Sequence, residues 1–230
     1  MKRLILFFVL AIFVFSLQSV SAKEEGTAKG NKIIGKATSI IDEVMKDPES
    51  RIPKSIFQKC EAIAVFPNVL KASFIFGGQF GEGLIIAKDD AGNWKSPLFF
   101  TMSGGSFGFQ IGAKSMDIIF FFMTKDGIKA LLNEKTTLGM DLAVAIGEVG
   151  DVRDADIDLL LQAEIISYAK AKGLFAGISV KGCAITYAEK FSQSYYDQEI
   201  SKRDVLLGES NLKNPKKVKD LIKTLDKYSK

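Results

Sequence analysis

Residues 61–124 constrain the fold more than any other stretch. Short β-branched and aromatic runs (Ala62–Phe66, Lys71–Phe76, Leu84–Lys88, Trp94–Thr101 and Asp117–Met123) follow one another closely. They are separated by glycines and by one strong turn, Asp89-Asp90-Ala91-Gly92-Asn93. That pattern specifies consecutive strands joined by tight connections. Pro67-Asn68 reads as a turn between the first two runs, and Gly77-Gly78 and Gly81-x-Gly83 punctuate the next. Glycines inside strand-like runs mark bulges, sharp curvature or close backbone approach. Their density here predicts a strongly curved, barrel-like sheet. Ile118–Met123 is a continuous apolar run and is expected to be the most deeply buried strand.

Helices and further strands flank this region. Lys23–Asn31 is polar and reads as a flexible lead. From Lys32 to Lys46, Ile33, Ile34, Ala37, Ile40, Ile41 and Val44 fall on one helical face, and Asp47-Pro48 ends the helix. A short helix follows Ile52-Pro53. Thr124–Leu132 reads as helix, Thr137–Gly147 as strand and Asp151–Asp158 as an acidic loop. Leu159–Lys170 has helical spacing but β-rich composition and is assigned as strand. Leu174–Val180 and Cys183–Tyr187 form an expected hairpin across Lys181-Gly182, and Ala188–Ile200 is helical. Asn214-Pro215 opens a final helix with Val218, Leu221, Ile222 and Leu225 on one side. The expected fold class is α+β: a single domain built on a mainly antiparallel, strongly curved sheet flanked by N- and C-terminal helices.

Residues 1–22 are set apart as a signal peptide. Lys2 and Arg3 precede an apolar core, Leu4–Phe15, and Val20-Ser21-Ala22 is a small-residue cleavage site. The apolar run is shorter than the roughly 20 residues of a membrane span; the alternative is an uncleaved anchor. The mature protein would be exported, periplasmic or extracellular and peripheral on a membrane, with a domain over 23–208 and a lysine-rich helix over 209–230. Of the formal charge of +4, removing Lys2 and Arg3 leaves +2. Residues 211–230 carry seven lysines against two aspartates, so the basic character is concentrated at the C-terminus. Cys60 and Cys183 admit two readings in an exported protein, a disulfide across the domain or two separate buried thiols.

The chain contains no histidine, which removes imidazole catalysis and imidazole metal sites. Two cysteines do not make a four-ligand zinc site. Asp117, Asp141 and Glu164 lie in apolar surroundings and leave carboxylate chemistry open, although such acids more often pair with lysine or cap backbone groups. The clusters Gly77–Gly83 and Gly104–Gly112 lack the Gly-Lys-Ser/Thr ending of a phosphate loop and are read as sheet curvature. The basic C-terminal helix either lies on an anionic membrane or docks on the domain with its lysines solvated. It lacks interleaved aromatics, so nucleic acid is not an expected partner.

Taken together, several motifs resemble the lipid-binding SYLF domain family. They are Ile63-Ala-Val-Phe-Pro-Asn-Val-Leu-Lys-Ala72, Gly77-Gly-Gln-Phe-Gly-Glu-Gly83, Trp94-Lys-Ser-Pro97, Gly104-Gly-Ser-Phe-Gly-Phe-Gln-Ile-Gly112, Asp117, Leu138-Gly-Met-Asp141, Tyr168 with Gly173–Ser179, Tyr195-Tyr196 and Asp204-Val-Leu206. The match runs in order over about residues 31–208, departing at Glu148 and Ala169 where the family pattern has Pro and Ser. The resemblance implies phosphoinositide or anionic-lipid binding at membranes, where eukaryotic members also work with actin partners; with the exclusions above, the expectation is a non-enzymatic protein without a cofactor that binds a general anionic phospholipid. The alternative is a protein-interaction or envelope scaffold module. Candidate headgroup contacts are Lys54, Lys59 and Lys71 near the opening motif, and Lys216, Lys217, Lys219 and Lys223 on the tail helix. Ser106 and Gln110, on a glycine-rich strand that lets a ligand approach, complete the set.

Overall fold

The computed structural model describes residues 2–48, 51–73, 76–107, 112–150, 154–171, 174–210 and 212–229. Among the described residues, nine strands form one sheet: β1 (Ala62–Ser73), β2 (Phe76–Ala87), β3 (Leu98–Phe107), β4 (Gly112–Phe122), β5 (Lys135–Thr137), β6 (Val144–Ile146), β7 (Ile165–Ala171), β8 (Leu174–Gly177) and β9 (Cys183–Tyr187). Their order is β5-β9-β3-β2-β1-β4-β7-β6, with β8 also paired to β7. All pairings are antiparallel except β6 with β7.

Chain length forces this sheet to curl. β5 and β6 stand at opposite ends of the strand order, yet only residues 138–143 join them. Seven inter-strand steps in a flat sheet span about 34 Å, whereas that link reaches about 25 Å at full extension. β8 and β9 are joined by residues 178–182 across six steps, about 29 Å if flat; this link reaches about 22 Å. The ends must therefore approach each other. Where the two links leave β5 and β9, they extend the ladder between those strands. The Leu138 amide donates to the Cys183 carbonyl at 2.7 Å, and the Gly182 amide donates to the Leu138 carbonyl at 2.8 Å. The predicted hairpin between Leu174–Val180 and Cys183–Tyr187 is thus corrected. β8 pairs with β7, and the Lys181-Gly182 turn carries the chain across the seam to β9.

Curling gives the sheet two buried faces. The inner face collects Ala62, Ala64, Phe66, Ile85, Phe100, Ile118, Phe120 and Phe122, closed by α3 (Lys125–Ala130) and α6 (Lys202–Leu206) through Ile128, Val205 and Leu206. The outer face presents Ile63, Val65, Leu84, Ile86, Phe99, Ile119, Phe121 and Tyr168. It is covered by α1 (Lys2–Lys46), α2 (Lys54–Lys59), α5 (Glu189–Tyr196) and α7 (Lys216–Ser229). Burial on both faces explains why the strands read as continuous apolar runs rather than alternating ones. Ile118 to Phe122 are all fully buried, as the sequence predicts. The N-terminal half of α3 is capped by Thr124, whose hydroxyl accepts from the Gly127 amide at 3.1 Å.

Three assignments change. Lys23–Asn31 is helical, not a flexible lead, because tertiary packing outweighs its composition. A Cβ at Gly30 would lie 2.2 Å from the Tyr195 ring and one at Gly26 2.4 Å from Ser194 Oγ, so glycine lets α5 press directly on α1. The Tyr195 hydroxyl then donates to Asn31 Oδ1 at 3.0 Å. Thr137–Gly147 is two short strands rather than one, broken at Gly139 with φ 79°. Residues 154–160, expected as acidic loop and strand, form α4 (Asp154–Leu160), anchored by buried Leu160 before β7 begins; 151–153 lie outside the described residues.

A polar clasp ties the C-terminal helix to α1. The Tyr228 hydroxyl donates to Asp42 Oδ1 at 2.6 Å, Lys227 Nζ lies 3.4 Å from the same oxygen, and Lys46 pairs with Oδ2. Trp94 Nε1 donates to Ser229 Oγ at 3.0 Å. Lys46 first, then Tyr228, hold the Asp42 carboxyl at about 2, below its ordinary 3.8. A depressed carboxylate pKa stabilises the fold above the unfolded value and loses that contribution as pH falls through the folded one. The melting temperature should therefore drop more steeply between about pH 4 and pH 2 in the native chain than in Asp42→Asn. At pH 7 the substitution should cost about 1 kcal/mol, since solvent reaches part of the carboxylate. Thermal melts of both proteins across this range check it; parallel curves would contradict the clasp.

Candidate functional site

The site begins with a fault in β1. Register is regular up to Phe66 against β4 and Val65 against β2, and resumes at Val69 and Leu70. Pro67 and Asn68 are thus a β-bulge inside one continuous strand, which corrects the predicted turn. Proline has no amide to give the ladder, so a bulge is one of few interior places that accept it. Asn68 adopts φ 52°, and its freed amide donates to Asp117 Oδ1 at 2.8 Å. β2 accommodates the bulge with glycine: a Cβ at Gly83 would meet the Val65 carbonyl at 2.3 Å, and one at Gly81 would meet Val69 Cγ2 at 2.7 Å.

At the bulge a groove of about 320 Å³ opens between α1 and the β1–β2 ribbon. Lys29, Lys32 and Lys36, spaced three and four apart, form the helical wall. Pro67, Asn68, Leu70, Phe80 and Gly81 form the other. Leu70 and Phe80 are direct cross-strand partners, 54% and 53% exposed. A second depression shares Lys32, Lys36 and Asn68 and continues along α1 toward Asp117 and Lys170.

The charge of the groove follows from where the acids of the Lys32–Lys46 stretch go. Asp42 is held in the C-terminal clasp and Glu43 pairs with Lys170. Lys29 contacts Glu82 at 2.6 Å and lies 4.9 Å from the Phe191 ring centroid. Lys32 and Lys36 make no ion pair with any described residue and are exposed. In sequence Lys32–Lys46 is nearly balanced in charge; in space its groove side is cationic.

The sequence-predicted residues are dispersed. Lys54 and Lys59 are exposed on α2, and Lys59 borders a polar depression with Lys88, Asp89, Asp90 and Lys125. Lys71 is half-buried in β1, opposite Gln79 and Lys114, on the face away from Leu70. Lys216, Lys217, Lys219 and Lys223 are exposed on α7, while Val218, Leu221, Leu225 and Tyr228 are buried. The apolar stripe of that helix is therefore occupied by the domain, and only its charges face solvent. Ser106 pairs in register with Gly77 on β3, and Gln110 lies outside the described residues. Sequence reasoning missed Lys29, Lys32, Lys36, Leu70 and Phe80 as one group; the lysine spacing was the available signal.

The open question of the cysteines is answered: they are free thiols, not a disulfide. Cys60 belongs to the outer core and Cys183 to the inner, on opposite faces of the sheet. Burial pushes the Cys60 thiol up to about 12. Burial also raises Cys183, whose sulfur accepts from Gln79 Nε2. The three carboxylates singled out in the sequence reach solvent and hold backbone amides: Asp117 that of Asn68, Asp141 that of Thr137 at 2.6 Å, and Glu164 that of Ala143 at 2.6 Å.

Comparison with known proteins gives consistent matches. A family model described as "Ysc84: Las17-binding protein actin regulator" matches residues 103–228. The SH3 domain-containing YSC84-like protein 1 of Homo sapiens is 28% identical over 202 residues, covering 87% of this chain and 58% of the relative. That of Xenopus laevis is 29% identical over 203 residues, covering 87% and 59%. LAS seventeen-binding protein 3 of Saccharomyces cerevisiae is 30% identical over 178 residues, covering 76% and 38%. The chain thus spans less than two thirds of the length of these relatives.

The bulge joins residues on either side of that family match, Asn68 before it and Asp117 within it. Asp117→Ala should cost about 1 kcal/mol by removing the acceptor of the Asn68 amide, which water can partly replace. Asp117→Asn, which keeps an acceptor oxygen, should recover most of the loss. Equal destabilisation of the two variants in denaturant titrations would remove the capping role.

Proposed function

The chain belongs to the Ysc84, or SYLF, family, and from that premise we propose that it is a binding protein, not an enzyme, that holds anionic phospholipid headgroups at a membrane surface. One observation carries the reading: Lys32 and Lys36, without ion-pair partners among the described residues, stand beside exposed Leu70 and Phe80 in an open groove. A flexible ammonium suits a phosphate as a point charge, and each lysine near an anionic surface contributes about 1 kcal/mol. The lysines of α7 add to the same long-range attraction. The absence of catalysis is supported by carboxylates committed to backbone amides and by thiols held protonated through burial. Residues 1–22 are read as an export signal cut after Ala22.

A second reading rests on the comparisons. The family model's description names Las17 binding and actin regulation, and a yeast relative's name carries the same binding. On this reading the groove takes a protein partner.

Co-sedimentation with vesicles separates the two. Binding should rise with the fraction of anionic phospholipid and fall with salt. Lys32→Ala with Lys36→Ala should weaken it about 30-fold, more than any two alanines among Lys216, Lys217, Lys219 and Lys223. Binding indifferent to lipid charge would sink the lipid reading in favour of a protein partner. Mass spectrometry of protein from its native host should find Lys23 at the N-terminus; intact Met1 would remove the export assignment.

A further inference from the structure

Among the described side chains, those of α1 cover the outer face of the sheet as far as the bulge. Beyond it, β3, β2, β1 and β4 continue as a four-stranded ribbon. Register places Ser103, Phe80, Leu70 and Ser115 in one row across the ribbon, and Gly105, Gly78, Ala72 and Ala113 in the next. All eight are exposed. This face therefore presents two large apolar side chains among residues no bulkier than serine. Other exposed large apolar residues, such as Met140, Leu159 and Leu174, have no such cross-strand partner among the described residues.

The surroundings specify what would cover the patch. The two rows contain no acid. Lys32 and Lys36 stand over them from α1, and Glu82 is engaged by Lys29. An apolar patch with a cationic border along α1 complements a layer that is apolar inside and anionic outside. The backbone also fits such a layer. Leu70 and Phe80 sit on the two central strands of the ribbon, each paired on both sides, so their amides and carbonyls need no water.

We propose that this ribbon face enters the interfacial layer of an anionic membrane, with Leu70 and Phe80 below the phosphates and Lys32 and Lys36 level with them. The proposal rests on the lipid reading and adds an orientation and an insertion to it. It makes the β ribbon, rather than the C-terminal helix, the part of the domain that penetrates.

Phe80→Trp tests it, because the native Trp94 is buried against Ser229 and serves as an internal reference. On vesicles of phosphatidylcholine and phosphatidylglycerol, the variant's emission should shift to the blue and be quenched by lipids brominated high on the acyl chain. The native chain should change little. Leu70→Ser with Phe80→Ser alters only solvent-facing side chains. It should keep salt-sensitive binding but weaken it about 30-fold, as expected for losing half-exposed leucine and phenylalanine from an apolar phase. A variant that sediments with the vesicles unquenched, or a double serine variant that binds as tightly as the native chain, overturns insertion and leaves headgroup recognition standing. Failure of the native chain to bind these vesicles at any salt concentration overturns both.

Discussion

Two links that are too short to cross a flat sheet govern this molecule. Residues 138–143 and 178–182 connect strands that a planar arrangement would hold well beyond their reach. Curling brings the ends together, and where the links leave β5 and β9 they extend that pair's ladder through Leu138, Gly182 and Cys183. An inner face that can be filled by side chains and an outer face that helices can wrap both follow. Large aromatic residues occupy each face: Phe66, Phe100, Phe120 and Phe122 inside, Phe57, Phe99, Phe121 and Tyr168 outside. Tyr168 is nearly perpendicular to Phe121 at 5.8 Å, and Phe57 meets the same ring edge-on at 4.8 Å.

The groove is a local consequence of that curvature. A strand with one extra residue has a freed amide, a bend and a place where a helix laid along the sheet loses contact. Here Asp117 takes the amide, glycines at 81 and 83 make room, and α1 parts from β1 and β2. The family resemblance rests partly on these same residues, since its opening motif contains Pro67-Asn68 and its second motif contains Gly81 and Gly83. Motifs that look like ligand-binding loops in sequence are, in the fold, the parts that bend the sheet. Their contribution to function is indirect: they set the gap that lysines and apolar residues line.

Electrostatics in this protein depends on which charges are spent. α1 carries lysines and acids in similar number along Lys32–Lys46, yet Asp42 is committed to Tyr228 and the neighbouring lysines, and Glu43 to Lys170. The C-terminal helix shows the converse. Its lysines are the most obvious charge feature of the sequence, and they remain solvent-facing, but the apolar stripe that would anchor it in a membrane is buried against α1 and α2. Holding that helix with a buried stripe and a clasp gives the domain a stable back. The exposed apolar residues are left at the opposite, glycine-rich ribbon.

By itself the sequence determined the class and the family: an α+β domain, a curved antiparallel sheet, helices at both ends and a deeply buried strand at Ile118–Phe122. Those properties are local, carried by residue type and by periods of two and 3.6. The tertiary structure alone decided that Pro67-Asn68 is a bulge and not a turn, because a bulge is defined by the registers of its two neighbours. It also decided that Lys23–Asn31 is helical, because the compensating contacts come from Tyr195 and Ser194, far along the chain. Cys60 and Cys183 were left with two readings until the sheet separated them into different cores. Leu70 and Phe80 have the same apolar character as the buried residues that precede and follow them, and their exposure depends on where α1 stops covering the sheet. No period in the sequence encodes that boundary, since it belongs to neither element but to the way one lies across the other.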